Sequence, residues 1–185
     1  GSRHELRALA LALDTAEGHL HARTSVQTPW GAAEADLTLA DAAPFSLSGR
    51  AALAGKDGPA AYTVAATLSG TLAEVGVSAT AAAIGATAEL QAALRPFAPA
   101  LLQQAAITIA RIDARQFGAE LPHTNLHADL TLTAQDGGAI AGALRIANAN
   151  PGSLDAALLP LREATAEFAG SPEALRLRKL SLDLG

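Results

Sequence analysis

Apolar and polar side chains alternate along most of this chain with a period of two. Leu9, Leu11 and Leu13 fall on one side of an extended backbone, and Leu20, Ala22, Thr24 and Val26 lie opposite His19, His21, Arg23, Ser25 and Gln27. The same beat returns in Ala35-Leu37-Leu39, Phe45-Leu47, Tyr62-Val64-Ala66-Leu68 and Ile107-Ile109. It continues in Leu126-Ala128-Leu130-Leu132, Ile140-Gly142-Leu144-Ile146 and Leu180-Leu182-Leu184. Successive strand side chains point to opposite faces, so each run predicts a strand with one apolar and one wet side. That is the signature of antiparallel sheet rather than of parallel strands buried on both faces.

Turn chemistry separates the runs. Turns are expected at Glu17-Gly18, Pro29-Trp30-Gly31, Asp41-Ala42-Ala43-Pro44, Lys56-Asp57-Gly58-Pro59, Ser69-Gly70, Asp136-Gly137-Gly138, Asn150-Pro151-Gly152 and Gly170-Ser171-Pro172. Each offers a glycine for positive φ or a proline that interrupts the ladder. Quasi-repeats such as Leu47-Ser48-Gly49, Leu68-Ser69-Gly70 and Phe168-Ala169-Gly170 suit an architecture that grows hairpin by hairpin along one axis. The alanine-rich stretch 79–106 reads less clearly. Val75–Gln91 is assigned to strands, and a short helix is expected near 97–104, where Pro99 could open a first turn.

Composition sharpens this picture. Half of the residues are hydrophobic, yet only 3% are aromatic, and there is no Cys or Met. A thick packed core needs more bulky side chains to reach native density. Many small and few large apolar groups fit a thin sheet with an extended apolar face. The predicted fold is therefore all-β: an elongated, curved antiparallel sheet with an open hydrophobic groove. Residues 3–185 are read as one piece of a longer repetitive domain, with Gly1-Ser2 a cloning scar.

The formal charge of -5 and a pI near 5.5, without a basic cluster, argue against nucleic acid. The longest charge-free stretch, 58–73, falls short of the ~20 apolar residues that a spanning helix needs. No hydrolase elbow, phosphate loop, zinc-protease helix or dinucleotide fingerprint occurs, so the chain is read as non-enzymatic, without metal or cofactor. His19 and His21 could chelate through an i, i+2 face, but no third ligand is evident. His127 and Asp129 share a face, with His123 nearby, and lack an adjacent nucleophile. Trp30 is read as a hairpin corner. Arg176, Arg178 and Lys179 are read as the wet side of a strand whose Leu175 and Leu177 point inward.

More specific features follow in the last third. Leu121-Pro122-His123-Thr124-Asn125-Leu126 opens a strand, and Gly142 to Asp155 carries the sequence GALRIANANPGSLD. Leu158-Leu159-Pro160-Leu161 comes next, before an alternating leucine strand. This order, together with Pro96-Phe97-Ala98, resembles the TamB branch of the AsmA-like envelope proteins. The resemblance implies a β-taco, a long sheet curled around a groove. In it, Asn148, Pro151, Gly152 and Asp155 would carry turns and register. It also implies a periplasmic location in a parent anchored in the inner membrane and reaching the outer membrane. The implied partners are phospholipid acyl chains and an outer-membrane barrel of the TamA/BamA kind, with a role in lipid transport and outer-membrane protein assembly.

The groove lining is expected at Leu37, Leu39, Leu47, Val64, Leu68, Ile109, Leu130, Leu132, Leu144, Ile146, Leu180 and Leu182. Edge-to-edge self-association of the piece is a further expectation. The alternatives are a closed β-sandwich or adhesin-like protein-binding module, and a β-helix surface protein with a carboxylate row.

Overall fold

Strict alternation leaves each strand one apolar side, and the chain gathers those sides into a single surface. The computed structural model describes residues 7–55, 61–171 and 174–184. Its strands are β1 (Arg7–Ala16), β2 (His19–Thr28), β3 (Gly31–Ala40), β4 (Ser46–Gly55), β5 (Tyr62–Thr71) and β6 (Glu74–Ala83). They continue as β7 (Ala86–Leu94), β8 (Leu102–Ile112), β9 (Leu126–Ala134), β10 (Ile140–Asn148), β11 (Leu161–Ser171) and β12 (Ala174–Leu184). All twelve form one sheet in sequence order, every neighbouring pair antiparallel. Among the described residues the sheet is open: β1 pairs only with β2, and β12 only with β11. Helical structure among the described residues amounts to three short 3₁₀ turns, at Ala114–Gln116, Asp136–Gly138 and Leu154–Ala156.

Two-residue turns do much of the folding locally. Glu17-Gly18 and Ile84-Gly85 each put both residues at positive φ, 51° and 75° in the first and 50° and 76° in the second. That geometry matches the twist of flanking strands in a tight hairpin. Several expected turns fall elsewhere. Ser69-Gly70 lies inside β5 and the turn is Leu72-Ala73; Gly170-Ser171 likewise lies inside β11. The glycines are explained by crowding rather than by turning: a Cβ on Gly70 would run into the Glu74 carbonyl, and one on Gly170 into that of Ala174. Phe45 belongs to the turn before β4, at φ 55°. The expected turn at Lys56-Asp57-Gly58-Pro59 lies outside the described residues, as does Pro172.

The short helix expected near 97–104 is not formed. Residues 96–101 are turn and bends, and β8 already begins at Leu102, opposite Leu94. Arg95 N–H donates to Leu101 O at 2.8 Å, which closes the loop onto the sheet. Pro96 and Pro99 remove two N–H donors from this short segment, so an extended exit wins over a helical turn. The neighbouring alanine-rich stretch is strand, in β6 and β7.

No second layer covers the sheet among the described residues. Val75, 5% exposed, is the one buried hydrophobic residue there. The buried polar groups sit where two long connections meet. Asn148 (6% exposed) ends β10; its Oδ1 accepts from Asn125 N at 3.2 Å and Asn150 N at 3.1 Å, and its Nδ2 donates to Leu159 O at 3.3 Å. Thr124 donates to Ile112 O and accepts from Ala114 N, at 2.9 and 2.8 Å. Asp113 accepts from Thr124 N, Arg115 N and His123 Nδ1 at 3.0 to 3.1 Å. These bonds tie the β8–β9 and β10–β11 connections together at one end of the sheet.

An uncovered apolar face as the candidate functional site

Residues directly opposite in an antiparallel pair share a face. Following such partners across the sheet gives one row through all twelve strands: Leu13, Ala22, Leu37, Gly49, Leu68, Val77, then Ala92, Ala105, Leu132, Gly142, Phe168 and Leu177. Every member is apolar. Two residues along the strands, a second row runs from Leu11 through Ala51, Leu90, Leu130 and Leu144 to Leu180, with Thr24 its one polar member. A third joins Val26, Leu53, Val64, Ile109, Ile146 and Leu182, among others. On the opposite side of the first row, Leu20, Leu39, Leu47, Val75 and Leu94 continue the same face.

The register therefore puts all twelve residues expected to line a groove on one face. It adds residues that the expected lining left out, notably Leu53, Val77, Leu90, Ile107 and Phe168. Leu90-x-Ala92-x-Leu94 carries the alternation in a stretch where alanine on both faces hides it.

Bulges keep the face apolar where the sequence slips phase. Leu177 and Leu180 are three apart, and the ladder absorbs the extra residue between them, so both remain on the face. The same happens between Ile109 and Ile112 and between Leu161 and Ala164, as the breaks in register at these points show. A one-residue slip would otherwise turn every following leucine to the wet side. Glycines in the face are roofed by the larger side chain directly opposite. A Cβ on Gly49 would strike Leu37, one on Gly55 the Tyr62 ring, and one on Gly142 the Phe168 ring.

Exposure separates the faces clearly in β5. There, Tyr62, Val64, Ala66 and Leu68 are half-buried while Thr63, Ala65, Thr67 and Ser69 are exposed. Ala65 and Ala66 are the same residue type on adjacent positions, so the difference belongs to the faces and not to the side chain. The outermost strands lose this shelter: Leu11 is 64% and Leu182 58% exposed.

The other face carries the charges. Asp36 lies between Arg23 (3.4 Å) and Arg50 (3.5 Å), and Arg145 pairs with Glu163 and Lys179 with Glu167. Thr108 Oγ1 donates to Asp129 Oδ1 at 3.0 Å. Exposed pairs of this kind contribute little each and mainly keep that face wet. A depression of about 550 Å³ opens on this polar face between β1 and β5, among Ala10, Ala12, Arg23, Asp36, Ala52 and Ala65. A twisted sheet is saddle-shaped, so each face is hollow along one diagonal.

The histidine candidates do not converge. His19 Nδ1 meets Glu17 O at 3.0 Å, and His21 Nδ1 meets Thr38 Oγ1 at 3.1 Å. His127 pairs with Asp129 at 3.2 Å, whereas His123 sits in the loop against Asp113. No group of three or more potential metal ligands occurs among the described residues. Trp30 stands exposed in its turn, its carbonyl accepting from the Tyr62 hydroxyl. Arg176 and Lys179 lie on the polar side of β12, with Arg178 in the bulge between them. No family model, curated protein or solved structure matches the chain.

Proposed function

We propose that the sheet shields acyl chains from water along its apolar face, and so serves as a segment of a lipid conduit. The observation that carries this reading is the unbroken apolar surface across twelve strands with no layer over it among the described residues. At ~4.8 Å between strands and ~3.4 Å per residue, the face measures roughly 53 by 34 Å, about 1,800 Å². The largest apolar patch on a typical soluble monomer is about 300–600 Å². A surface several times larger calls for an occupant.

An acyl chain suits it chemically. Exposing two long chains to water costs on the order of 20 kcal/mol, at ~0.8 kcal/mol per CH₂. Leucine, valine and alanine rows give uniform, non-directional contact, so a chain could move along the face without stalling in a tight site. The open side leaves a polar headgroup wet. The resemblance to the TamB branch adds phospholipid as cargo, a periplasmic bridge between inner and outer membrane, and a barrel partner of the TamA/BamA kind; these parts of the proposal rest on that resemblance.

The test is a photo-crosslinking residue at Leu130, with a control at His127 on the polar face, in the protein expressed in cells. Lipid captured at Leu130 and not at His127 is the expected result. A protein adduct at Leu130, or no adduct from folded protein, overturns the reading and turns attention to a protein-binding module.

A further inference from the structure

Charge is distributed unevenly over the polar face. Followed from partner to partner, one row of that face starts at Arg23, Asp36 and Arg50 and finishes at Glu167 and Lys179. The row two residues along starts at Asp14 and finishes at Arg176. Between these ends, from β5 to β10, neither row holds a charged residue. The row on the other side of the first, through Glu89, Asp129 and Arg145, is charged again. A neutral band two rows wide therefore crosses the middle of a face that is charged around it.

A depression of about 440 Å³ lies in this band between β5 and β9, with Ser69, Ser78, Gln91, Gln104, Thr131 and Thr133 around it. All six side chains are exposed, and none makes a hydrogen bond to another described residue. Elsewhere on this face polar side chains answer one another, as Thr38 does His21 and Thr108 does Asp129. Small residues make the floor. Gln91 stands opposite Ala106 and Gln104 opposite Ala93, so the two amides rise on a diagonal, each beside a low neighbour. Every amide offers two donors and an acceptor, and every hydroxyl a donor and two lone pairs. The depression is thus dense in hydrogen-bonding capacity, free of charge, and unspent on the protein itself.

We propose that this band binds a neutral, extended glycan of the β-1,4-linked ribbon type, laid across the strands from β5 to β9. An anion would meet no cation in the depression, and a cation no carboxylate. A peptide satisfies its backbone along a sheet edge rather than on the middle of a face. A chain of sugars matches the chemistry, because its hydroxyls donate and accept at every unit as the Ser, Thr and Gln side chains do. Its dimensions match too. Strands repeat every ~4.8 Å, and a β-1,4-linked ribbon advances by nearly the same distance per sugar, so each sugar meets a fresh strand. The two rows stand ~6.8 Å apart, close to the width of a pyranose ring. No aromatic side chain lines the depression, so affinity comes from repeated hydrogen bonds and rises with glycan length. The site lies on the face opposite the apolar one and stands apart from the lipid reading.

The test titrates cellohexaose and chitohexaose, two uncharged ribbons, into the protein while its glutamine side-chain amides are followed by NMR. Gln91→Ala and Gln104→Ala proteins assign the two signals of the band, and Gln27 in β2 and Gln116 in the first 3₁₀ turn serve as controls. Saturable shifts at Gln91 and Gln104, none at the controls, and weaker binding of the corresponding disaccharides are expected. A response to one hexasaccharide alone supports the site and tells whether it requires the acetamido group. Both glutamines are exposed, so the Gln91→Ala/Gln104→Ala protein should keep the parent's melting temperature. With two amide contacts gone, it should bind about tenfold more weakly. No saturable shift with either glycan at the highest soluble concentration, equal shifts at the control glutamines, or undiminished binding by the double variant overturns the proposal.

Discussion

Asn148→Ala should destabilise this protein more than Leu130→Ala, an inversion of the order found in layered folds. Leu130 occupies the middle of an apolar row between Ile107 and Leu144, yet it is only half-buried because nothing packs on it from above. Truncating a fully buried leucine in a two-layer core costs about 2–5 kcal/mol. Here about half of the ~0.8 kcal/mol per CH₂ is at stake, which gives roughly 1 kcal/mol. Asn148 holds Asn125 N–H, Asn150 N–H and Leu159 C=O at once. Its loss leaves three backbone groups short of a partner. At about 1 kcal/mol each, reduced because Asn125 and Asn150 reach water, the cost is about 2–3 kcal/mol. With a slope of about 2 kcal/mol per molar urea, the midpoint should fall by about 1 M for Asn148→Ala and about 0.5 M for Leu130→Ala. Urea unfolding followed by circular dichroism, with slopes compared between variants, measures both. A Leu130→Ala loss equal to or above that of Asn148→Ala would refute the reasoning, since Leu130 would then be packed beneath something more than its row neighbours.

Leu144→Lys should fold and melt within a few degrees of the parent but lose captured lipid, because an unpaired ammonium in an apolar contact costs far more than it does in water; retained lipid would count against the face as a conduit. Deleting Arg178 removes the extra residue of the bulge and leaves Leu177 and Leu180 in strict alternation, so the melting temperature should hold. Deleting Ser181 instead turns Leu182 and Leu184 to the polar face, and thermal melting should show a clear loss. The pKa of Asp113 is held below its usual value first by the Thr124 N–H and then by His123. A group with a depressed folded pKa stabilises the fold above its unfolded pKa of about 3.9, and that contribution fades as pH falls through the folded value. Asp113→Asn should therefore have a flatter decline in urea midpoint below about pH 4 than the parent.

The fold was legible because period two states the face of each residue locally. Leu126 to Leu132 or Tyr62 to Leu68 announces both the strand and its inner side, and a meander of short hairpins needs no long-range information beyond that. What escaped the reading depends on partners. Gly70 and Gly170 carry a turn's chemistry but answer to a carbonyl on the next strand. Pro99 permits a helical turn, but the pairing of Leu102 with Leu94 decides against it. The break between Leu177 and Leu180 is visible in the sequence, whereas its repair by a bulge is visible only against Glu167 and Phe168 on β11. Asn148 stood out as a turn residue by resemblance, but its burial comes from the meeting of two separate loops, 113–125 and 149–160, which no local pattern encodes.

Stability and occupancy are coupled in such a molecule. A layered domain gains most of its stability by hiding apolar surface inside itself. Here the largest apolar surface faces outward, and the ladder hydrogen bonds, cross-strand pairs and the Asn148 knot must hold the sheet without it. Anything that covers the face binds the folded sheet and has no equivalent surface on the unfolded chain. Occupancy therefore adds RT ln(1 + [L]/Kd), about 2.7 kcal/mol at a hundredfold excess over Kd. That increment is as large as the cost assigned to Asn148→Ala, so a saturating lipid should offset the defect in that variant. A charged residue at Leu144 should abolish the offset without touching the knot. Melting the Asn148→Ala protein with and without lipid, beside the Asn148→Ala/Leu144→Lys double variant, separates the two contributions. Equal rescue of both proteins would mean that lipid stabilises through some surface other than the apolar face.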